Sequence, residues 1–345
     1  VNTVNPQTTP AAPPAIPPGP VCVVGLGLIG GSLLRDLAAA GVAAFGWNRS
    51  TATVEAAVAD GFDVSADLPA VLARAQREDA LVVLGVPFPA LPAMLDALER
   101  HAPGVGFTDV TSVKGSVLKL VTDRGMADRF IGSHPMAGTA DSGWEATTEG
   151  LFRGAVWVVT TDSAPAAVDS PRDATWLRNW RRVVETATLV GAVPVPARAR
   201  KHDKAVARIS HLPHVMAETM AITADNGGAL SLSLAASSFR DATRVAGTEP
   251  SLVRAMCENN REALVTALDE SLALMTAARD ALASGGDLTQ FVETGYDARL
   301  RFEARAGRVK GGPTTRSLIR VLPGSDGWLD QLHYAESIGA QIGII

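Results

Sequence analysis

The hexapeptide Gly25-Leu26-Gly27-Leu28-Ile29-Gly30 sits directly after the apolar run Val21-Cys22-Val23-Val24, and it limits what this chain can fold into more than any other feature. The run reads as a buried parallel strand, and the residues from Leu28 to Ala40 carry helical spacing. Glycines between a strand and a helix in a G-x-G-x-x-G pattern form a dinucleotide fingerprint. The first permits the tight turn, the second lets backbone approach a pyrophosphate, and the third lets helix pack on strand. The pyrophosphate then rests on the helix N-terminus, where unbonded N–H groups and the helix dipole favour negative charge. By itself the pattern is shared by many ordinary strand–helix turns; its position supplies the meaning.

From residue 21 to about 160, strand and helix patterns alternate. Strands are expected over 43–47, 80–86, 105–110, 130–133 and 155–160, and helices over 51–60, 89–101 and 114–123. That alternation implies right-handed crossovers and an α/β, doubly wound, parallel sheet of Rossmann type over 21–165. The Pro/Ala/Asp/Ser stretch 162–171 reads as a boundary. Residues 172–308 read as an all-helical domain whose apolar stripes exceed what one small domain needs, so a homodimer is expected through it. Residues 315–345 read as a β-α-β piece, part of a regulatory domain cut short or completed by another chain. Residues 1–20 are rich in Pro, Ala and Thr and read as a disordered leader. They hold no Lys, no Arg and no apolar core of a secretory signal. With a net charge of −5, an extended nucleic-acid face is not expected. The only cysteines, Cys22 and Cys257, exclude a disulfide framework, and no run is apolar enough to span a bilayer. A cytoplasmic protein is expected.

The second strand ends at Trp47-Asn48-Arg49-Ser50, which lacks the carboxylate that selects NAD through the ribose hydroxyls. Asn48 can bond a ribose without repelling phosphate, and Arg49 and Ser50 offer a cation and a hydroxyl to a 2′-phosphate. The tetrad favours NADP, with NAD the alternative; a solvated Arg49 beside a helix cap is the structural reading. Val86-Pro87 follows the fourth strand and is expected to wall the cofactor. Asp109-Val110-Thr111-Ser112-Val113-Lys114 and Ser133-His134-Pro135-Met136-Ala137-Gly138 leave neighbouring strands at the same sheet edge. An imidazole there can accept an alcohol proton as hydride leaves carbon, and a hydroxyl can hold the same oxygen. Further on lie Ser210-His211-Leu212-Pro213-His214, with a kink expected at Pro213, and Phe239-Arg240-Asp241-Ala242-Thr243-Arg244. Arg244 can grip a carboxylate with Asp241 orienting it, or the two can form a surface ion pair. The histidine pair lacks accompanying ligands at metal spacing, so no metal is expected.

Taken together and in this order, residues 25–32, 109–114, 134–139, 210–214 and 241–244 resemble the prephenate/arogenate dehydrogenases of tyrosine biosynthesis, over about residues 20–305. The resemblance implies oxidation of a ring alcohol on a cyclohexadiene, with hydride transfer to NAD(P), loss of carbon dioxide and aromatisation. It implies that His134 takes or polarises the hydroxyl proton and that Ser112 bonds that hydroxyl or His134. Arg244 would bind substrate carboxylate, His214 would frame the pocket, and Thr139 would join the substrate site. Some members carry an acidic residue right after the Gly-Thr; here Ala140 stands there and Asp141 follows. A carboxylate at Asp141 favours the ammonium of arogenate over the keto group of prephenate, which stays open. Two other readings are a β-hydroxyacid-type NADP dehydrogenase, which relies on a lysine in the helical domain and for which Lys201 and Lys204 are the only candidates within 172–308, and a non-catalytic NADP-sensing regulator.

Overall fold

The computed structural model describes residues 19–138, 141–305 and 316–345. Thr139 and most of the expected leader lie outside them. The chain opens with β1 (Val21–Val24), α1 (Leu28–Ala39), β2 (Ala44–Trp47), α2 (Thr51–Ala59), β3 (Val64–Ser65), α3 (Leu68–Arg77), β4 (Leu81–Leu84) and α4 (Leu91–His101). It continues through β5 (Phe107–Asp109), α5 (Gly115–Thr122), β6 (Phe130–Pro135), β7 (Val156–Thr160), α6 (Pro171–Leu189) and β8 (Val193–Ala197). These strands form one sheet in the order β3-β2-β1-β4-β5-β6-β7-β8. Strands β1, β4 and β5 are wholly buried, as runs such as Leu81-Val82-Val83-Leu84 require when helices cover both faces.

Two expectations about this sheet need correction. The sheet is not wholly parallel, because β7 runs antiparallel to β6. Nor does the helical domain begin at residue 172, since α6 packs on the sheet and β8 pairs in parallel with β7. The sequence Val193-Pro194-Val195-Pro196-Ala197 hides a strand because proline argues against one. Here the donors on the β7 side come from alternate residues. Val193 N–H donates to Ala155, and the Ala197 carbonyl accepts from Thr161, so both prolines turn their missing donors away from the sheet.

Beyond β8 come α7 (Ala199–Val206), a π-helical turn (Ala207–His211) and α8 (Leu212–Asn226), which form one interrupted helix. The kink expected at Pro213 appears as this π turn just before it, where proline has no N–H to bond the preceding turn. Helices α9 (Gly228–Ser233), α10 (Ser237–Thr243), α11 (Pro250–Asn259), α12 (Arg261–Ala283) and α13 (Thr289–Arg305) complete the helical part. Much of its apolar surface is uncovered: Leu274 and Leu282 on α12 are 60% and 59% exposed.

The final unit is β9 (Leu318–Val321), α14 (Trp328–Ile338) and β10 (Gln341–Ile344), whose two strands pair in parallel. It is joined to the sheet's core rather than standing apart. Trp328 is fully buried against Trp176 and Trp180 of α6, with ring centroids 6.4 and 5.7 Å away. Among the described residues, no helix is long and apolar enough to cross a membrane.

Candidate active site

The fingerprint glycines behave as the pattern requires. Gly25 has φ +100°, and Gly30 lies so close beneath it that a Cβ there would stand 2.0 Å from the Gly25 carbonyl oxygen. A Cβ on Gly27, by contrast, would meet nothing within 4 Å. Helix α1 starts at Gly27 with no side-chain cap, so its first N–H groups, including those of Leu28 and Ile29, are free for an anion. Leu26 is the exception, because its N–H donates to Asn48 Oδ1 at 3.1 Å. Asn48 therefore ties the end of β2 to the glycine loop. Ser50 caps α2 by accepting from Thr53 N–H, and Arg49 is exposed with no ion pair among the described residues. Val86 packs over Gly25, where a Cβ would meet its Cγ1 at 2.8 Å; Pro87 follows it at the same sheet edge. An open Gly27, an uncapped helix end and a tight Gly25–Gly30 contact fit the pyrophosphate of a dinucleotide.

Next along the edge, the loop after β5 is built on a buried ion pair. Lys114 Nζ meets Asp109 and donates to the Ser133 carbonyl at 2.6 Å, with both side chains at most 1% exposed. Asp109 also accepts from the Thr111 N–H. Burial pulls the Lys114 ammonium down in pKa and Asp109 opposes that pull. This knot fixes the loop that presents Ser112, which is half-buried and whose hydroxyl makes no hydrogen bond among the described residues.

His134 stands near the carboxyl end of β6, and its partner was not foreseen. Its Nδ1 lies 2.9 Å from Nε2 of His202, whose Nδ1 lies 2.8 Å from Oδ1 of Asp203. Asp203 in turn accepts the N–H of Lys114 at 2.8 Å and of Gly115 at 2.7 Å, seating its carboxylate on the N-terminus of α5. Burial raises the Asp203 carboxyl, but the bonds from His202, Lys114 and Gly115 outweigh it and hold the group below its ordinary range. A carboxylate cannot donate, so for neutral rings the proton order is fixed. His202 gives Nδ1–H to Asp203 and receives Nδ1–H from His134, which leaves His134 Nε2 a bare acceptor. Burial, then the neighbouring charges of His202, Lys114 and His211, hold His134 well below the usual histidine value, so it is neutral at pH 7.

The polar stripe continues along α8 toward the helical domain. His211 is fully buried and meets Asn260 through Nδ1 at 3.2 Å, and burial pushes its pKa down to about 4. His214 is half-buried, and burial lowers its pKa, opposed by the Val245 backbone and Glu218 and reinforced by Arg244. His211 ends the π turn and His214 lies in the first turn of α8, near enough that His214 bears on the His211 charge. Arg244 opens the 3₁₀ turn Arg244–Gly247 and is exposed. The expected Asp241–Arg244 pairing is corrected: Asp241 ends up on α10, and no ion pair links the two among the described residues. Asp141 is exposed.

His202 and Asp203 were missed because an adjacent His-Asp inside a helix matches no motif. A signal was present: polar residues at 203, 211 and 214 recur on an otherwise apolar stripe of one helix.

Residues 34–195 match the family model of the prephenate dehydrogenase nucleotide-binding domain, and residues 198–294 match that of the prephenate dehydrogenase dimerization domain. A cyclohexadienyl dehydrogenase from Zymomonas mobilis is 31% identical over 294 residues, 81% of this chain and 94% of that protein. The crystal structure of a "putative prephenate dehydrogenase" from Corynebacterium glutamicum superposes with a TM-score of 0.89 at 54% identity, covering 95% of this chain and 99% of that one. The arogenate dehydrogenase of Synechocystis superposes with a TM-score of 0.65 at 29% identity, covering 84% and 100%.

Proposed function

The chain belongs to the prephenate dehydrogenase family, and from that premise we propose a role for each candidate residue. The reaction is the NAD(P)-dependent oxidative decarboxylation of prephenate or arogenate. The observation that carries the assignment of roles is the Asp203–His202–His134 row, which leaves one unprotonated nitrogen at the same sheet edge as the dinucleotide loop, with β4 and β5 between them.

When bound, the oxidised nicotinamide supplies a hydride acceptor. The glycine loop and the first turn of α1 hold its pyrophosphate. His134 Nε2 takes the proton of the ring hydroxyl as the hydride leaves the same carbon. The resulting imidazolium is stabilised by His202 and, through it, by the Asp203 carboxylate. Ser112 holds the hydroxyl oxygen from the other side. Arg244 grips substrate carboxylate and His214 frames it. Loss of carbon dioxide leaves the bond electrons in the ring, which becomes aromatic, and His134 returns its proton to the phenolate oxygen. No proton is consumed overall, so a base that is neutral in the resting enzyme is regenerated each cycle. An Arg that bound the ground-state carboxylate too tightly would slow its departure, which suits a guanidinium open to water. The uncovered faces of α12 and α13 support a homodimer through the helical domain.

Asn48, Arg49 and Ser50 favour NADP. Arg49→Gln should raise the KM for NADP by about tenfold, as loss of a charge-assisted phosphate contact implies, and leave that for NAD unchanged. Steady-state kinetics with both cofactors checks this; parallel changes would remove Arg49 from cofactor selection. Asp141 favours arogenate. The test is Asp141→Asn assayed with both substrates through the near-ultraviolet absorbance of reduced nicotinamide. Use of arogenate should fall about tenfold or more, the scale of one ion pair, with prephenate nearly unaffected. Equal losses would remove Asp141 from substrate choice.

A further inference from the structure

We propose that Glu336 is a positioning residue for the His134 row: the C-terminal β-α-β unit clamps the N-terminus of α7 and thereby sets Asp203 and His202. The proposal rests on the roles given above to those two residues.

Helix α7 has eight residues, Ala199–Val206, and carries two members of the row, His202 and Asp203, at its fourth and fifth positions. A helix rises about 1.5 Å per residue, so Asp203 lies only about 6 Å along the axis from Ala199. Whatever fixes the first turn therefore fixes the row. No side chain of α7's own sequence caps it. Two carboxylates from elsewhere do so. Glu336 Oε1 accepts the Arg198 N–H at 2.7 Å, and Asp162 Oδ2 accepts the Ala199 N–H at 2.7 Å. Glu336 also takes the Arg198 guanidinium: Nε lies 3.0 Å from Oε2 and 3.3 Å from Oε1, and Nη2 also donates to Oε2. Such pairs fix direction as well as distance.

The clamp is itself well founded. The Glu336 side chain is 10% exposed, against 44% for Arg198, so the carboxylate is the ordered member of the pair. Helix α14 is held by Trp328, which is buried against the two α6 tryptophans. The last 30 residues thus connect the sheet core to the N-terminal end of the helix that carries the row. At its other side, Asp203 is fixed on Lys114 and Gly115. The row is held between two anchors, and Glu336 belongs to one.

The experiment uses the full chain with Glu336→Ala, which removes every contact, and Glu336→Gln, which keeps an oxygen for the Arg198 N–H. Glu336→Ala should lower kcat about tenfold, the scale expected when a reacting group is misplaced by a fraction of an ångström. Glu336→Gln should lie between it and the wild type. The Kd for the dinucleotide should not change. His134 is faced by His202, Lys114 and His211, with Asp203 beyond His202. Because misalignment weakens the carboxylate's support of protonated His134, the acid limb of kcat/KM should move to lower pH. A lowered Tm with unchanged kcat and unchanged pH profile in both variants would overturn the proposal and leave Glu336 a structural residue. His134→Ala run in parallel separates the two levels: retained turnover there overturns the role of His134 itself, whereas lost turnover there with normal Glu336 variants overturns only the clamp.

Discussion

His134→Ala should lower kcat by about a hundredfold to ten-thousandfold, the range that a positioned general base contributes, and leave the dinucleotide Kd within about twofold of wild type. The ring lies at the end of β6, whereas the pyrophosphate contacts lie at the glycine loop after β1, so binding and proton transfer are separable. Single-turnover kinetics alongside equilibrium titration of the cofactor reads both quantities. The wild-type pH profile carries a second signature. Since His134 is held well below the ordinary histidine value, its base form persists below pH 6.5, and the acid limb of kcat/KM should fall below that pH. The same groups bear on stability. Histidines depressed in the folded state and ordinary in the unfolded chain contribute nothing unfavourable above about pH 6.5. As pH falls from there through the folded value, about 4 for His211, the unfolded state binds more protons and stability is lost.

The second large effect is expected in the fingerprint, where two glycines should fail in different ways. Gly30→Ala puts a methyl group 2.0 Å from the Gly25 carbonyl oxygen, which is backbone and cannot turn aside. Helix and loop must separate, at a cost of about 1–3 kcal/mol in stability, with a fall of about tenfold to a hundredfold in cofactor affinity. Gly27→Ala meets no protein atom within 4 Å and keeps an ordinary extended φ of −76°. It should leave Tm unchanged and still weaken the cofactor, because the methyl group stands where backbone must approach pyrophosphate. Thermal unfolding with and without NADP distinguishes the pair. Equal loss of Tm in both variants would show that Gly27 is packed rather than open.

These contrasts mark what was legible in the sequence. The strand–glycine–helix unit was readable because each glycine answers a local steric demand. The positions of Ser112 and His134 were readable because they lie just beyond or within the carboxyl ends of strands that share an edge. Long-range pairings were not readable. The reversal of β7 against β6 depends on how the chain between them returns, which no local pattern records. Strand β8 was hidden by two prolines that are harmless only because they face away from β7. Strand β3, with two residues, was too short to register, whereas α3 does carry amphipathic spacing at Leu68, Val71, Leu72 and Ala75 and was overlooked. His202 and Asp203 acquire meaning only when α7 is laid against β6 and α5, so their chemistry belongs to the tertiary structure. The C-terminal unit was legible as β-α-β, but its attachment through Trp328 and Glu336 was not.

At the centre of the account stands the protonation pattern of one ring. Nitrogen-15 NMR of protein labelled in its histidines, with the His134 signals identified by their loss in His134→Ala, reads that pattern at each nitrogen. The expected result at pH 7 is a neutral ring carrying its proton on Nδ1, with an unprotonated Nε2. An imidazolium at pH 7, or a neutral ring with the proton on Nε2, would contradict the account.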